Sequence, residues 1–332
     1  MNRLQSQPSI VVIGGGTGLS NMLRGLKLKT SRLTAIVTMA DDGGSSGKLR
    51  DELGMLPPGD VRNCLQALAN TEPTMELLLG YRFTEGVLKG QSLGNLFLAA
   101  LNDISGSFSE AVRKMSEVLA ITGRVLPVTT EDVRLMACFD DGTEVFGESK
   151  ITEHKKHSDR RITKVALVPA TPKAHKASLE AIQEAELIVL GPGSLYTSII
   201  PNLITDGIAQ AIESSKAIKI YVLNVTTQDG ETEGYAASDH VRALFEHSGR
   251  KLFSLCLANN TPLPEDVAFR YKQEGASQTL VDMENLEALG VETLLRPMLD
   301  CSAGFARHDP IRLAEEIMTI YREKSPTKIL TI

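Results

Sequence analysis

Several short stretches of this chain concentrate the residue types that hold anions, metals and reacting groups. The first, Gly14-Gly15-Gly16-Thr17-Gly18-Leu19-Ser20, follows an apolar run, Ile10 to Ile13, and opens an amphipathic stretch, Thr17 to Lys27. Glycine lets the backbone approach a phosphate closely, and the free N–H groups at a helix N-terminus favour an anion. The spacing is not the dinucleotide fingerprint. Leu19 stands where a G-x-G-x-x-G begun at Gly14 needs glycine, and Asn21 where one begun at Gly16 needs it. No Gly-Lys-Ser/Thr follows, so it is not a P-loop either. A tight strand-to-helix turn is the bland reading; the strand–turn–helix context favours a phosphate on Gly15, Gly16, Thr17 and Gly18.

The second stretch runs from Met39 to Lys48 and holds Asp41, Asp42, Gly43, Gly44, Ser45 and Ser46. Two adjacent carboxylates can hold Mg²⁺ together with a substrate phosphate, or accept ribose hydroxyls. The serines and glycine amides could take a second anionic group. An Asp-Gly turn in solvent is the weaker alternative. In the third, Leu56 to Asn63, Asp60 suits a helix cap. A cap does not explain Arg62 and Asn63 in the same turn, where an arginine suits a phosphate better than the helix dipole. Gly94-Asn95 sits at another helix start, where a capping turn and a ligand contact are equally compatible. Leu190 to Ser198 carries Gly191, Gly193 and Ser194, a second nest of amides beside hydroxyls, and Asn224 to Thr232 is a further polar loop after an apolar run. Tyr271 and Arg307 could stack on a base and pair with a phosphate in a chain without tryptophan, though packing and surface roles fit them equally. No Ser-His-Asp order and no H-E-x-x-H occurs. His154 and His157 fall in a charged stretch, Glu153 to Arg161, that reads as a solvated turn, and His175 and His247 read as surface positions.

The elements that must position these loops alternate. Apolar runs at Ile10–Ile13, Leu33–Thr38, Val165–Val168, Leu187–Leu190, Ile218–Leu223 and Leu252–Leu257 lack polar alternation, as strands covered on both faces do. Helical patterns at Lys173–Ala185, Ile204–Ser214 and Ala237–His247 lie between them. This predicts a Rossmann-like, doubly wound α/β fold with a mainly parallel sheet, as a single domain over residues 1–332. Two segments interrupt it: a helical insertion over 51–120 and a β-hairpin insertion over 125–165, with Asp141-Gly142 as its turn. Leu77, Leu78, Leu79 and Phe97 of the helical insertion are expected in the core, with a homodimer face as the alternative.

The 332 residues suffice for a large core without disulfide or metal support. A net charge of −6 argues against a nucleic-acid footprint. Four dispersed cysteines form no CxxC pair and fit a reducing compartment. The N-terminus lacks the pattern of a signal peptide, and no apolar run is long enough for a bilayer, so a cytoplasmic protein without membrane contact is expected.

Taken together, VVIGGGTGLS, TMADDGGSSGKLRDELGMLPPGDVRNCL, GQSLGNLFLAAL, LGPGSLYTSIIPNL and NVTTQDGETEGY resemble the bacterial gluconeogenesis factor family, which is itself similar to the archaeal 2-phospho-L-lactate transferases. The resemblance runs over nearly the whole chain. It implies a Rossmann-like fold, a cytoplasmic location and a role in cell shape on gluconeogenic carbon sources. It also implies a bound UDP-N-acetylglucosamine, linking carbon supply to peptidoglycan precursors through contact with amino-sugar synthesis enzymes. By the same resemblance the turn at Thr17, the loop from Asp41 to Ser46, Asn63, Asn95 and Gly193-Ser194 form the nucleotide crevice, and Tyr271 and Arg307 serve UDP-sugar binding. Two positions depart from the family pattern: Gln91, where histidine is common, and Asp229, where proline is common.

Three functions compete. A UDP-sugar-binding regulator leads, because the anion-binding loops come without a clear base or nucleophile. A Mg²⁺-dependent nucleotidyl- or phospho-transferase is the alternative, with Asp41 and Asp42 on the metal and Arg62 or Arg307 stabilising charge. An NAD-binding protein using the same crevice comes third, weakened by the broken fingerprint.

Overall fold

The computed structural model describes residues 7–158 and 160–325. β1 (Ile10–Gly14) leads into α1 (Gly16–Leu26), and β2 (Leu33–Val37) into α2 (Gly44–Leu53). Four further helices follow: α3 (Gly59–Leu68), α4 (Pro73–Gly80), α5 (Leu93–Ser105) and α6 (Phe108–Val118). Then come β3 (Arg124–Pro127), β4 (Arg134–Phe139), β5 (Glu144–Phe146), α7 (Glu148–Lys156) and β6 (Ile162–Val168). The second half alternates: α8 (Lys176–Glu184), β7 (Leu187–Leu190), α9 (Ile200–Leu203), α10 (Ile208–Ser214), β8 (Ile218–Val222), α11 (Ala237–Ser248), β9 (Leu255–Asn259), α12 (Glu265–Gln273), α13 (Met283–Ala288) and β10 (Glu292–Arg296). A two-stranded ribbon, β11 (Leu299–Asp300) and β12 (Arg307–His308), precedes α14 (Pro310–Lys324).

Seven strands form one sheet in the order β10-β9-β8-β7-β1-β2-β3, parallel at every pairing. β1, β2, β7 and β9 are buried along their whole length, which accounts for their unbroken apolar runs. From β1 the order moves outward through β2 and β3, and from β7 through β8 to β10. The direction of winding therefore reverses between β1 and β7, where such sheets open a ligand crevice at the strand C-termini. The two glycine-rich turns follow these two strands. The doubly wound α/β architecture expected from the sequence is present, with a small antiparallel sheet beside it.

Three expectations shift. Val165–Val168 reads in the sequence as a covered parallel strand, yet it ends β6 of the antiparallel sheet β5-β4-β6, where exposed and buried residues mix because one face meets solvent. The hairpin insertion expected over 125–165 is narrower in its first half: β3 belongs to the main sheet as its edge strand, so the antiparallel segment spans 134–168. Leu77 and Leu78, expected in the core, are 75% and 45% exposed; Leu79 is buried and Phe97 half-buried. α4 is only 8 residues long and turns one side to its neighbours.

Candidate functional site

A crevice of about 570 Å³ opens at the switch point, lined by Gly15 to Gly18, Asn21, Gly193, Ser194, Ser198, the loop 224–229, Tyr271 and Arg307. Its floor is the N-terminus of α1, whose cap residue, Gly15, provides no side chain to occupy the first N–H groups. Gly18 holds the two glycine turns together: a Cβ there would stand 2.7 Å from the Pro192 carbonyl oxygen.

The turn after β7 is fixed from behind. Asn224 accepts from the Gly193 N–H at 3.0 Å and donates to the Gly193 carbonyl at 2.8 Å. Ser194 donates to Gln228 at 2.8 Å. The Glu231 carboxylate accepts the N–H groups of Leu195, Tyr196 and Thr197 at 3.2, 3.0 and 3.0 Å. Burial pushes Glu231 up to about 7 even though these three N–H groups favour its charged form. At the mouth, the Tyr271 hydroxyl accepts the Ala306 N–H at 3.0 Å, and the Arg307 guanidinium lies 5.7 Å from the centre of the Phe305 ring.

Behind Gly15 lies a group of carboxylates. Asp60 accepts from the Gly16 N–H, and a Cβ on Gly15 would stand 2.5 Å from its Oδ2. Burial, then the charge of Asp41, push Asp60 up to about 7. Burial raises Asp41 against the pull of the Gly43 N–H and the Ser46 hydroxyl. Glu148, at the start of α7, is held well above the usual range by burial and by Asp41, Asp60 and Asp42.

The expected site residues divide. Gly15, Gly16, Thr17, Gly18, Gly193, Ser194, Asn224, Tyr271 and Arg307 meet in the crevice. Asp42 faces elsewhere: its Oδ1 accepts from the Ser149 N–H at 2.9 Å and the Ser149 hydroxyl at 2.8 Å, so it caps α7. Asp41 keeps company with Asp60 instead, which alters the expected Asp41–Asp42 metal pair. Gly43 and Gly44 only launch α2. Ser45 and Ser46 are buried: Ser45 donates to Gln91 at 2.6 Å, and Ser46 accepts from the Gly59 N–H at 3.1 Å. Asn95 is buried and accepts from Arg62 Nε at 3.2 Å. Asn63 is half-buried in the first turn of α3, and Gly191 is buried with its N–H on the Ile13 carbonyl. Asp60 does not cap α3, whose cap position is Pro58. The stretch Glu153 to Arg161 begins as the end of α7 rather than as a solvated turn, with His154 against the Phe139 ring at 4.7 Å. His247, expected at the surface, is largely buried and accepts from the Val165 N–H at 3.1 Å.

Sequence reasoning missed Lys156 and Glu148. Lys156 reaches the crevice from that same stretch. Glu148 is the first residue of α7, and no local signal shows which carboxylates it will face.

Comparison with known proteins agrees with this architecture. Residues 10–299 match the family model described as 2-phospho-L-lactate transferase CofD. The gluconeogenesis factor of Bacillus subtilis is 44% identical over 318 residues, covering 96% of this chain and 99% of that protein. That of Halalkalibacterium halodurans is 46% identical over 311 residues, covering 93% and 95%. A crystal structure of a Bacillus halodurans protein superposes with a TM-score of 0.91 at 45% identity, covering 94% of this chain and 100% of that one. No helix among the described residues is long and apolar enough to cross a membrane. The chain belongs to the family of the gluconeogenesis factors, which is related to the 2-phospho-L-lactate transferases.

Proposed function

We propose that the chain is a cytoplasmic regulator that binds UDP-N-acetylglucosamine in the switch-point crevice. In this reading it relays carbon supply during gluconeogenic growth to cell-wall precursor synthesis and cell shape, by contact with enzymes of amino-sugar synthesis. The observation that carries it is the convergence of two glycine-rich turns and Arg307 on one cavity of about 570 Å³. That volume lies in the range of small-ligand sites. The Thr17 and Gly18 amides of α1, facing the turn after β7, suit a diphosphate, and Lys156 and Arg307 add cations at the rim. Titration calorimetry with UDP-N-acetylglucosamine, with and without Mg²⁺, tests it. Saturable binding that Arg307→Ala weakens at least about tenfold is expected; no binding by the unaltered chain overturns it.

The carboxylate group favours a second reading, a Mg²⁺-dependent nucleotidyl- or phospho-transferase. Asp41 and Asp60 are hard oxygen donors beside the anion-binding amides, a donor set that fits Mg²⁺ shared with a phosphate. Bound there, the ion would neutralise charge on a transferring group. The family's transferase members point the same way. Incubation with a nucleoside triphosphate, a sugar 1-phosphate and Mg²⁺ would release diphosphate, and Asp60→Asn would abolish the release; no release from the unaltered chain rejects it.

A further inference from the structure

The turn that opens α5 gathers more positive charge than the residues around it balance. α5 has 13 residues and no acidic residue in its first turn. Its Leu93 N–H donates to the Tyr81 carbonyl at 2.9 Å, and among the described residues the Gly94 and Asn95 N–H groups have no acceptor, so they present the positive end of the helix dipole. Arg82 is held beside that terminus, because it pairs with the cap residue Ser92 in an isolated antiparallel bridge. Its Nη1 donates to the Gly90 carbonyl at 2.6 Å. Arg62 arrives from α3. Its Nε donates to Asn95 Oδ1 at 3.2 Å, and its stem lies so close to the turn that a Cβ on Gly94 would stand 2.9 Å from its Cδ.

Among the described residues neither arginine has a carboxylate within ion-pair distance. Burial and the neighbouring Arg82 both disfavour the charge on Arg62, which Asp60 and Asp41 only partly offset. Ser92, 1% exposed, does not cap its own helix, and its Oγ has no hydrogen-bond partner. A buried hydroxyl without a partner is costly, and the half-buried Arg62 guanidinium carries its charge beside another cation. The turn is nonetheless braced in this form: Ser45 accepts from the Ser92 N–H at 3.2 Å and donates to Gln91.

We infer that the N-terminus of α5, with Arg62, Arg82 and Ser92, is a second anion-binding subsite that takes the phosphoryl group of a small phosphorylated metabolite. A dianion would separate the two guanidiniums, accept the free N–H groups of α5 and give the Ser92 hydroxyl an acceptor. The subsite is served by a different helix from the nucleotide crevice, and the inference does not rest on UDP-sugar binding.

Amide-resolved NMR titration with inorganic phosphate, at an ionic strength held constant with chloride, tests it. Saturable shifts at Gly94 and Asn95 are expected. Arg82→Gln, a change on an exposed side chain, would weaken them at least about tenfold, as would Arg62→Gln. No saturable shift at α5, shifts confined to Gly16–Gly18, or shifts unaltered in both variants would overturn the inference. The Gly16–Gly18 amides, followed with UDP-N-acetylglucosamine in the same way, report separately on the nucleotide-sugar reading.

Discussion

The Glu231 carboxylate accepts the backbone N–H of Tyr196 at 3.0 Å, and with it those of Leu195 and Thr197. One buried side chain from the loop after β8 thereby supplies the missing cap of the helical turn after β7. These three bonds tie together the two loops that wall the crevice on this side. Glu231→Ala would leave three buried N–H groups without acceptors and is expected to cost about 3 kcal/mol. Urea denaturation checks it, and an unchanged midpoint would show that the turn relaxes freely.

The same group makes stability fall with rising pH. Its pKa is near 4.5 when unfolded and about 7 when folded, so the folded chain holds the extra proton between those values. Its contribution is complete below about pH 4.5 and is lost as pH rises through about 7, at a slope of up to about 1.4 kcal/mol per pH unit. Glu231→Gln removes the titration and keeps one acceptor oxygen. The difference in urea midpoint between this variant and the unaltered chain should therefore change across pH 5 to 8; a constant difference would place the proton elsewhere.

Gly18→Ala tests the contact between the two glycine turns. The added methyl group meets the Pro192 carbonyl oxygen at 2.7 Å, so α1 or the turn must retreat. The fold can absorb a few tenths of an ångström, but phosphate oxygens held by both turns cannot follow both. Affinity for UDP-N-acetylglucosamine is expected to fall about tenfold, about 1.4 kcal/mol, with a smaller change in thermal stability. Equal affinity would mean that the ligand does not bridge the turns.

Much of this arrangement was legible in the residues. Unbroken apolar runs marked β1, β2 and β7, and the glycines after β1 and β7 marked the crevice, because close backbone approach requires that residue type. What stayed hidden depends on where side chains turn after folding. Asp41 and Asp42 are adjacent in the chain and look alike, yet one faces Asp60 and the other caps α7, 107 positions away. Ser45 and Ser46 have the composition of an anion loop, but their hydroxyls are consumed by Gln91 and Gly59. Lys156 looked like part of a solvated turn because periodicity in a charged stretch does not reveal that its helix ends at the crevice rim.

Tyr271 and Arg307 should act as a unit. The phenol holds the Ala306 N–H, one residue before the guanidinium, so Tyr271 sets where Arg307 points. Tyr271→Phe keeps the ring and loses that bond. It is expected to weaken UDP-sugar binding several-fold, by about 1 kcal/mol. Combined with Arg307→Ala it should add little, since the bond then has no charge to aim. Calorimetry on the two single variants and the double variant decides: additive losses would mean that Tyr271 touches the ligand independently.

Asp41, Asp60 and Asp42 separate metal binding from folding. Asp42 satisfies the N–H and hydroxyl of Ser149 at the start of α7, so Asp42→Ala removes a cap and should cost about 1 kcal/mol. It should leave any Mg²⁺ dependence of ligand binding intact. Asp60→Asn has the opposite profile. Burial and Asp41 make its charge unfavourable, so the amide should not destabilise the free chain, and it relieves the repulsion on Asp41. Yet it takes a charged ligand from the ion, and the difference between affinities with and without Mg²⁺ should shrink to nothing. Asp41→Asn should do the same. If Asp42→Ala abolishes the Mg²⁺ dependence while Asp60→Asn preserves it, the adjacent Asp41–Asp42 pair holds the ion and the cap on α7 opens when it binds.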